Sequence, residues 1–290
     1  MDWQRIGDVR LANDLVVRRI GFGGAWLTGP GTYGPPPDLD VARSIIRRAV
    51  EAGFQLIDTA DCYGAEVSER LIAEALYPYP DGIVISTKGG RIACGNSTWR
   101  ANGRPDHLRR ACEASLRRLR LEAIDLYQLN AVDPDVPLQE SLGALVELRR
   151  AGKIRNIGVC NLDPEQLAAA RRVTRIASVQ DRYDLMARSN EAALTLCERN
   201  GIAFLAWFPP SNDVAAKPGS VLACLALCYA ARPAQIGLAW LIARSPAIAP
   251  LPRTVDGAWF EEDLAAFEIT LAAEEVRQLS TETRSSAEPA

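Results

Sequence analysis

The chain has 290 residues, 48% of them hydrophobic, and 33 basic against 36 acidic side chains give a net charge of −3. That length suits one α/β barrel with a large buried core, and the charge balance offers a polyanion such as nucleic acid nothing to hold. No apolar run reaches the ~18 residues of a membrane span, and the polar opening Met1–Arg10 has no signal-peptide core, so the expected compartment is cytoplasmic.

Short β-rich runs alternate with helical patterns along the chain. Val17–Gly21 is followed by a loop containing Gly34-Pro35-Pro36-Pro37 and then a helical pattern over Leu39–Ala52. Gln55–Asp58 leads to Val67–Leu76, Ile83–Thr87 to Pro105–Leu119, and Ile124–Leu129 to Leu138–Ala151. Ile154–Val159 leads to Pro164–Val173, Ala177–Gln180 to Asn190–Asn200, Ala203–Ala206 to Val221–Ala230, and Ile248–Leu251 to Ala258–Phe267. Gly53, Gly152 and Gly201 stand where left-handed C-caps end helices. Pro105 and Pro164 occupy first turns. The Arg-rich stretch Leu108–Arg120 alternates with Leu and Ala at helical spacing, as a solvated helix face does.

Such alternation means parallel β/α units. An open doubly wound sheet would need a Gly-rich turn that opens a helix after the first strand. Gly21-Phe22-Gly23-Gly24 instead runs into Trp26 and the Pro/Gly loop. The expected fold is therefore a (β/α)8 TIM barrel, one domain over residues 1–290, with residues 1–15 as a hairpin closing its bottom.

In such a barrel the working side chains sit at the carboxyl ends of the strands. Strand two delivers Asp58 and then Tyr63 in IDTADCYG, strand three Lys88 in ISTKGG, and strand four Asn130 in LYQLNAVD. Strand five delivers Cys160 and Asn161, strand six Gln180 and Tyr183, and strand seven Trp207 and Phe208. Lys and Asp at adjacent strand ends can pair in the interior. A Tyr beside that Lys would have its phenol acidified from about 10 and suit general-acid work on a carbonyl oxygen. With equal weight, Asp58 caps a loop, Lys88 neutralises it and Tyr63 packs. Trp26, Tyr33, Trp99, Trp207 and Phe208 are candidate pocket walls and suit a ring-bearing substrate. The seven Cys form no CxxC pair and read as reduced thiols. Cys224 and Cys228 read as buried small residues and no metal site is expected, since the chain has one His.

The strings IDTADCYG, Ile85-Ser86-Thr87-Lys88, IGVCN and VQDRYD, in that order, resemble the aldo-keto reductases over Val17 to about Glu268. TGPGTYGPP, EALYPYPD and LAWLIARSP resemble a bacterial branch that includes pyridoxal reductases. The resemblance implies NAD(P)H-dependent reduction of an aldehyde or ketone on a small molecule. Tyr63 is then the proton donor, tuned by Lys88 and Asp58, while Asn161 and Gln180 hold the nicotinamide carboxamide and Tyr183 stacks on its ring. The family usually has His where Asn130 stands. An Asn amide can orient a carbonyl but cannot relay a proton, and His107, at a helix start, reads as a surface residue.

The phosphate end departs further. Where the family commonly has Pro-Gly-Thr-Ser-Ser, this chain has Pro252-Arg253-Thr254-Val255-Asp256, followed by Glu262 and Asp263. Arg253 can grip a 2′-phosphate, which sets NADP(H) ahead of NAD(H), and Asp256 opposes it. Phe208, Arg253, Thr254, Glu262 and Asp263 complete the expected cofactor set, and Pro210-Ser211-Asn212-Asp213 and Asp181 are further departures. The missing His and the rebuilt phosphate loop motivate an alternative, a non-redox acid/base enzyme catalysing cyclisation, dehydration or isomerisation on this scaffold. The expected assembly is a monomer or small homo-oligomer.

Overall fold

The structure, a computed structural model, describes residues 2–12, 15–95, 98–207, 216–252 and 257–285. Its first elements are α1 (Trp3–Ile6) and an antiparallel hairpin of β1 (Asp8–Arg10) and β2 (Val16–Arg18), with Val9 opposite Val17. The barrel then begins with β3 (Gly21–Gly23), α2 (Leu39–Glu51), β4 (Leu56–Asp58), α3 (Val67–Leu76) and β5 (Val84–Gly89). A second antiparallel hairpin, β6 (Arg91–Gly95) and β7 (Thr98–Ala101), precedes α4 (Pro105–Leu119). Next come β8 (Ile124–Leu129), α5 (Leu138–Arg150), β9 (Ile154–Cys160), α6 (Pro164–Val173), β10 (Ser178–Arg182) and α7 (Glu191–Asn200). The chain ends with β11 (Ala203–Trp207), α8 (Val221–Cys228), α9 (Pro233–Arg244), β12 (Ile248–Leu251), α10 (Gly257–Ala266) and α11 (Ala273–Ser285).

Eight strands, from β3 round to β12, lie parallel and in chain order in one nearly closed sheet. Glycines make the closing side possible. A Cβ at Gly21 would sit 2.5 Å from Leu251 Cδ2, and one at Gly23 would sit 3.1 Å from the Pro252 carbonyl oxygen. Local signals set the helices: Asp38 caps α2 by accepting from the Asp40 and Val41 amides, and Asp163 with Gln166 forms a capping box on α6.

Alternation along the strands creates both the core and the site. One set of side chains, among them Ile57, Ile85, Tyr127, Ile157, Val179 and Phe204, packs outward into the main core with the helices. The other set points into the barrel. Its lower positions are apolar: Leu56, Val84, Leu126, Ala203, Leu205, Ala249 and Leu251 meet Val9, Leu11 and Val17 of the first hairpin, which plugs the bottom. Two residues further on, the same inward phase turns polar, to Asp58, Ser86 and Lys88, Gln128 and Asn130, and Gln180.

Three sequence expectations are corrected here. The run Val17–Gly21 divides: Val16–Arg18 completes the plugging hairpin, which therefore extends past residue 15, and Gly21–Gly23 is the barrel strand. The helix that returns the chain to β12 is α9, with α8 preceding it. Its segment Ile236–Leu241 is buried at five of six positions, so it lacks the polar face that makes a helical period legible. Among the described residues, no single helix is long and apolar enough to cross a membrane.

Leu11, 1% exposed, fills the plug. Leu11→Ala is expected to cost about 2–5 kcal/mol in urea unfolding, while activity per folded molecule stays unchanged because the carboxyl-end face is untouched.

Candidate active site

The carboxylate of Asp58, 2% exposed, accepts four hydrogen bonds at the end of β4. Ser86 Oγ at 2.8 Å and Gln128 Nε2 at 3.1 Å donate to Oδ1, and Lys88 Nζ at 2.6 Å and Gln180 Nε2 at 2.9 Å donate to Oδ2. Three further strands thus converge on one buried anion. Lys88 gives a second hydrogen to the Thr59 carbonyl at 2.7 Å. Burial alone would lower the Lys88 pKa, but the charges of Asp58, and of Tyr63 and Cys160 should they ionise, more than reverse this and leave it raised. The balance favours the charged ammonium.

Tyr63 stands over that ion pair, with Lys88 Nζ 5.0 Å from its ring centroid. Its phenol is pushed up, not acidified: burial outweighs the Lys88 charge, and Asp58 adds to the upward push. The expectation of an acidified Tyr63 is corrected accordingly. The Lys88 charge is largely spent on Asp58, so the dry surroundings decide the balance. Among the described residues the Tyr63 hydroxyl has no hydrogen-bond partner, and it lines the cavity. Asn130 Nδ2 donates to Cys62 Sγ at 3.4 Å, and the Cys62 and Cys160 thiols, on the same cavity, are each pushed up to about 12, chiefly by burial.

The cavity above these groups measures about 380 Å³, the lower end of the usual range for small-molecule sites. Asp58, Tyr63, Lys88, Asn130, Asn161 and Gln180 are gathered there as expected, and Trp26, Trp99 and Trp207 form walls. Asn161, in the left-handed conformation at φ 57°, donates through Nδ2 to the Asn130 carbonyl at 3.3 Å. Its backbone amide donates to the Gln180 carbonyl at 3.0 Å. Gln180 is more committed than expected: besides Asp58, its Oε1 accepts from Gln128 Nε2 at 3.1 Å.

Several expected residues lie elsewhere. Tyr183 is fully buried behind the strands, its ring stacked 5.9 Å from Trp240 and its hydroxyl donating to Glu191 at 2.7 Å. It sits three residues after Gln180 and so has the opposite, outward phase; Trp207 is the aromatic side chain on the cavity beside Asn161 and Gln180. Tyr33 is 45% exposed and off the cavity, where Gly31 and Thr32 take its place. Glu262 pairs with Arg232, and neither it nor Asp263 lines the cavity. Asp263 Oδ2 is buried without a hydrogen bond, and burial, with Glu262, raises its carboxyl to about 8. His107 is half-buried, not on the surface, and burial lowers its pKa, whereas Cys224 and Cys228 are exposed, not buried. Phe208, Pro210-Ser211-Asn212-Asp213 and Arg253-Thr254-Val255-Asp256 lie outside the described residues.

Sequence reasoning passed over Gln128 and Arg91. Gln128 was visible two residues before Asn130, in the same inward phase. Arg91, which lines the cavity, is carried by a hairpin too short to announce itself.

The site is thus a tyrosine over a buried lysine–aspartate pair in an eight-stranded parallel barrel of the (β/α)8 class. The chain belongs to the aldo/keto reductase family, whose model matches residues 19–216, and it is an NAD(P)H-dependent oxidoreductase. It is 37% identical over 285 residues to an uncharacterized oxidoreductase of Schizosaccharomyces pombe, covering 98% of this chain and 92% of that protein. Pyridoxine 4-dehydrogenase of Escherichia coli K12 is 35% identical over 264 residues, covering 89% and 92%. An aldo-keto reductase from Klebsiella pneumoniae, solved in complex with NADPH, matches with a TM-score of 0.79 at 28% identity, covering 95% of this chain and 94% of that one.

Lys88→Met would leave Asp58 buried with its counter-charge gone. The expected loss is about 3–5 kcal/mol in urea unfolding at neutral pH, well beyond what removal of an exposed lysine costs.

Proposed function

We propose that the protein reduces the carbonyl group of a small, ring-bearing aldehyde or ketone, with Tyr63 as the proton donor. The observation that carries this is the Tyr63 phenol itself: protonated, facing the cavity, without a partner among the described residues, and standing over a fixed ammonium. A phenol acting as an acid must hold its proton until the substrate oxygen takes it, and must then survive as a phenolate. Burial serves the first need and Lys88 the second. Lys88 keeps its own proton throughout, and Tyr63 is reprotonated from solvent through the open mouth. Asn130, on the cavity beside Tyr63, turns the carbonyl oxygen toward the phenol by donating an amide hydrogen.

The cavity fits a nicotinamide group. The Asn161 side-chain oxygen has no hydrogen-bond partner among the described residues and suits a carboxamide donor, and the exposed indole of Trp207 offers a flat face next to it. These two residues, rather than Tyr183, are proposed as its holders, with Gln180 on the neighbouring strand tied to Asp58. A nicotinamide bound there supplies the hydride. Solved relatives crystallised with NADP or NADPH support this cofactor class. Preference for the 2′-phosphorylated form is proposed from the chemistry of Arg253 and Thr254 in the sequence. Trp26, Trp99 and Trp207 support a ring on the substrate, and pyridoxine, carried in the name of the Escherichia coli relative, is such a ring. Family membership favours this redox chemistry over acid/base work without a cofactor.

Tyr63→Phe is expected to lower kcat by about 10²–10⁴-fold with cofactor affinity unchanged. In the parent protein kcat should stay flat through neutral and mildly alkaline pH, because the donor's pKa is raised and the acid form therefore persists. Near-normal turnover of Tyr63→Phe would end the mechanism. Arg253→Ala should weaken NADPH more than NADH in fluorescence titration, and equal weakening of both would remove Arg253 as the phosphate reader.

A further inference from the structure

The β6–β7 hairpin interrupts the β/α alternation between β5 and α4 and adds two side chains to the cavity, Arg91 and Trp99. Among the described residues, three charged side chains line that cavity: Asp58, Lys88 and Arg91. Asp58 and Lys88 neutralise each other at 2.6 Å, so one positive charge, on Arg91, is left over.

The Arg91 side chain has no hydrogen bond or ion pair among the described residues. Arg43, Arg109, Arg118, Arg232 and Arg244 hold carboxylates. Arg100, Arg172 and Arg199, without such a partner among the described residues, are exposed, whereas Arg91 is half-buried and lines the cavity. The charge reaches the interior: the Arg91 guanidinium acts to lower the pKa of both cavity thiols, Cys62 and Cys160, against the burial that raises them. Its position also separates it from the proposed cofactor holders. Asn161 follows β9 and Trp207 ends β11, whereas Trp26, Tyr63 and Arg91 follow β3, β4 and β5. Arg91 therefore shares the substrate half of the mouth with the proton donor.

We propose that Arg91 anchors an anionic group on the substrate, so that the compound reduced is a ring-bearing aldehyde or ketone that also carries a carboxylate or a phosphate ester. This rests on the reductase reading of the same site. A guanidinium presents a planar fork that matches either anion with two parallel hydrogen bonds. Beside the tryptophan walls of the cavity such a pair orients as well as binds. With the anion on Arg91 and the ring among the tryptophans, the carbonyl is left for Tyr63 and Asn130.

The test uses the full chain, Arg91→Met and Arg91→Lys, with two measurements. The first is reduction by NADPH of 4-carboxybenzaldehyde, 4-formylphenyl phosphate and the neutral 4-methylbenzaldehyde. The second needs no turnover: quenching of tryptophan fluorescence by benzoate and by phenyl phosphate, three of the six tryptophans being on the cavity. Arg91→Met should lose about 10- to 100-fold in kcat/KM on the preferred anionic aldehyde, mostly through KM, while the neutral aldehyde is unchanged. Arg91→Lys should recover part of the loss. The anion that quenches in an Arg91-dependent way identifies carboxylate or phosphate as the group held. Equal losses on charged and neutral aldehydes, or no loss on either, overturn the proposal, as does quenching that is the same in the parent and Arg91→Met. If no aldehyde turns over, the quenching still decides. Arg91-dependent anion binding then upholds the anchor while the reductase reading falls.

Discussion

A single buried carboxylate dictates how the upper half of this barrel is built. Taking Asp58 out of water costs several kcal/mol unless its charge is met by a counter-charge and its lone pairs by hydrogens. The structure meets it with one cation and three neutral donors from β5, β8 and β10. Each donor must point inward at the right height, which forces polar residues onto the strand ends while the lower inward positions stay apolar. Gln128 is the hub of this arrangement, because its amide also donates to Ser86 and Gln180. The polar layer and the apolar plug are thus two halves of one alternating pattern, and the site sits where that pattern changes character.

That pattern explains what could be read from the residues. The runs Ile124–Leu129 and Ile248–Leu251 and the helices Val67–Leu76, Pro105–Leu119 and Pro164–Val173 were legible to the residue, because their turn and capping signals are local. Asp58, Lys88, Asn130 and Gln180 share the inward phase of their strands and therefore meet. Tyr183 misled because proximity in sequence to Gln180 says nothing about face: the period of two puts it on the helix side, against Trp240 and Phe204. Other features left no periodic trace. Helix α9 is apolar on too many sides to show a stripe, and β6–β7 has strands of five and four residues.

The behaviour of Tyr63 was the reverse of what a nearby lysine suggests. A cation lowers a phenol's pKa when its field is unopposed, yet here the field terminates on Asp58 and the ring is enclosed. Lys88 still pulls the phenol downward, but burial and the Asp58 charge outweigh it, so Tyr63 keeps its proton.

The hairpin under the barrel has a consequence for the shape of the space above it. Because Val9, Leu11 and Val17 pack against the lower inward side chains, the barrel floor is solid and the cavity does not run through it. A few residues of hairpin, remote from the polar layer, thereby make a vessel of what would otherwise be a tube.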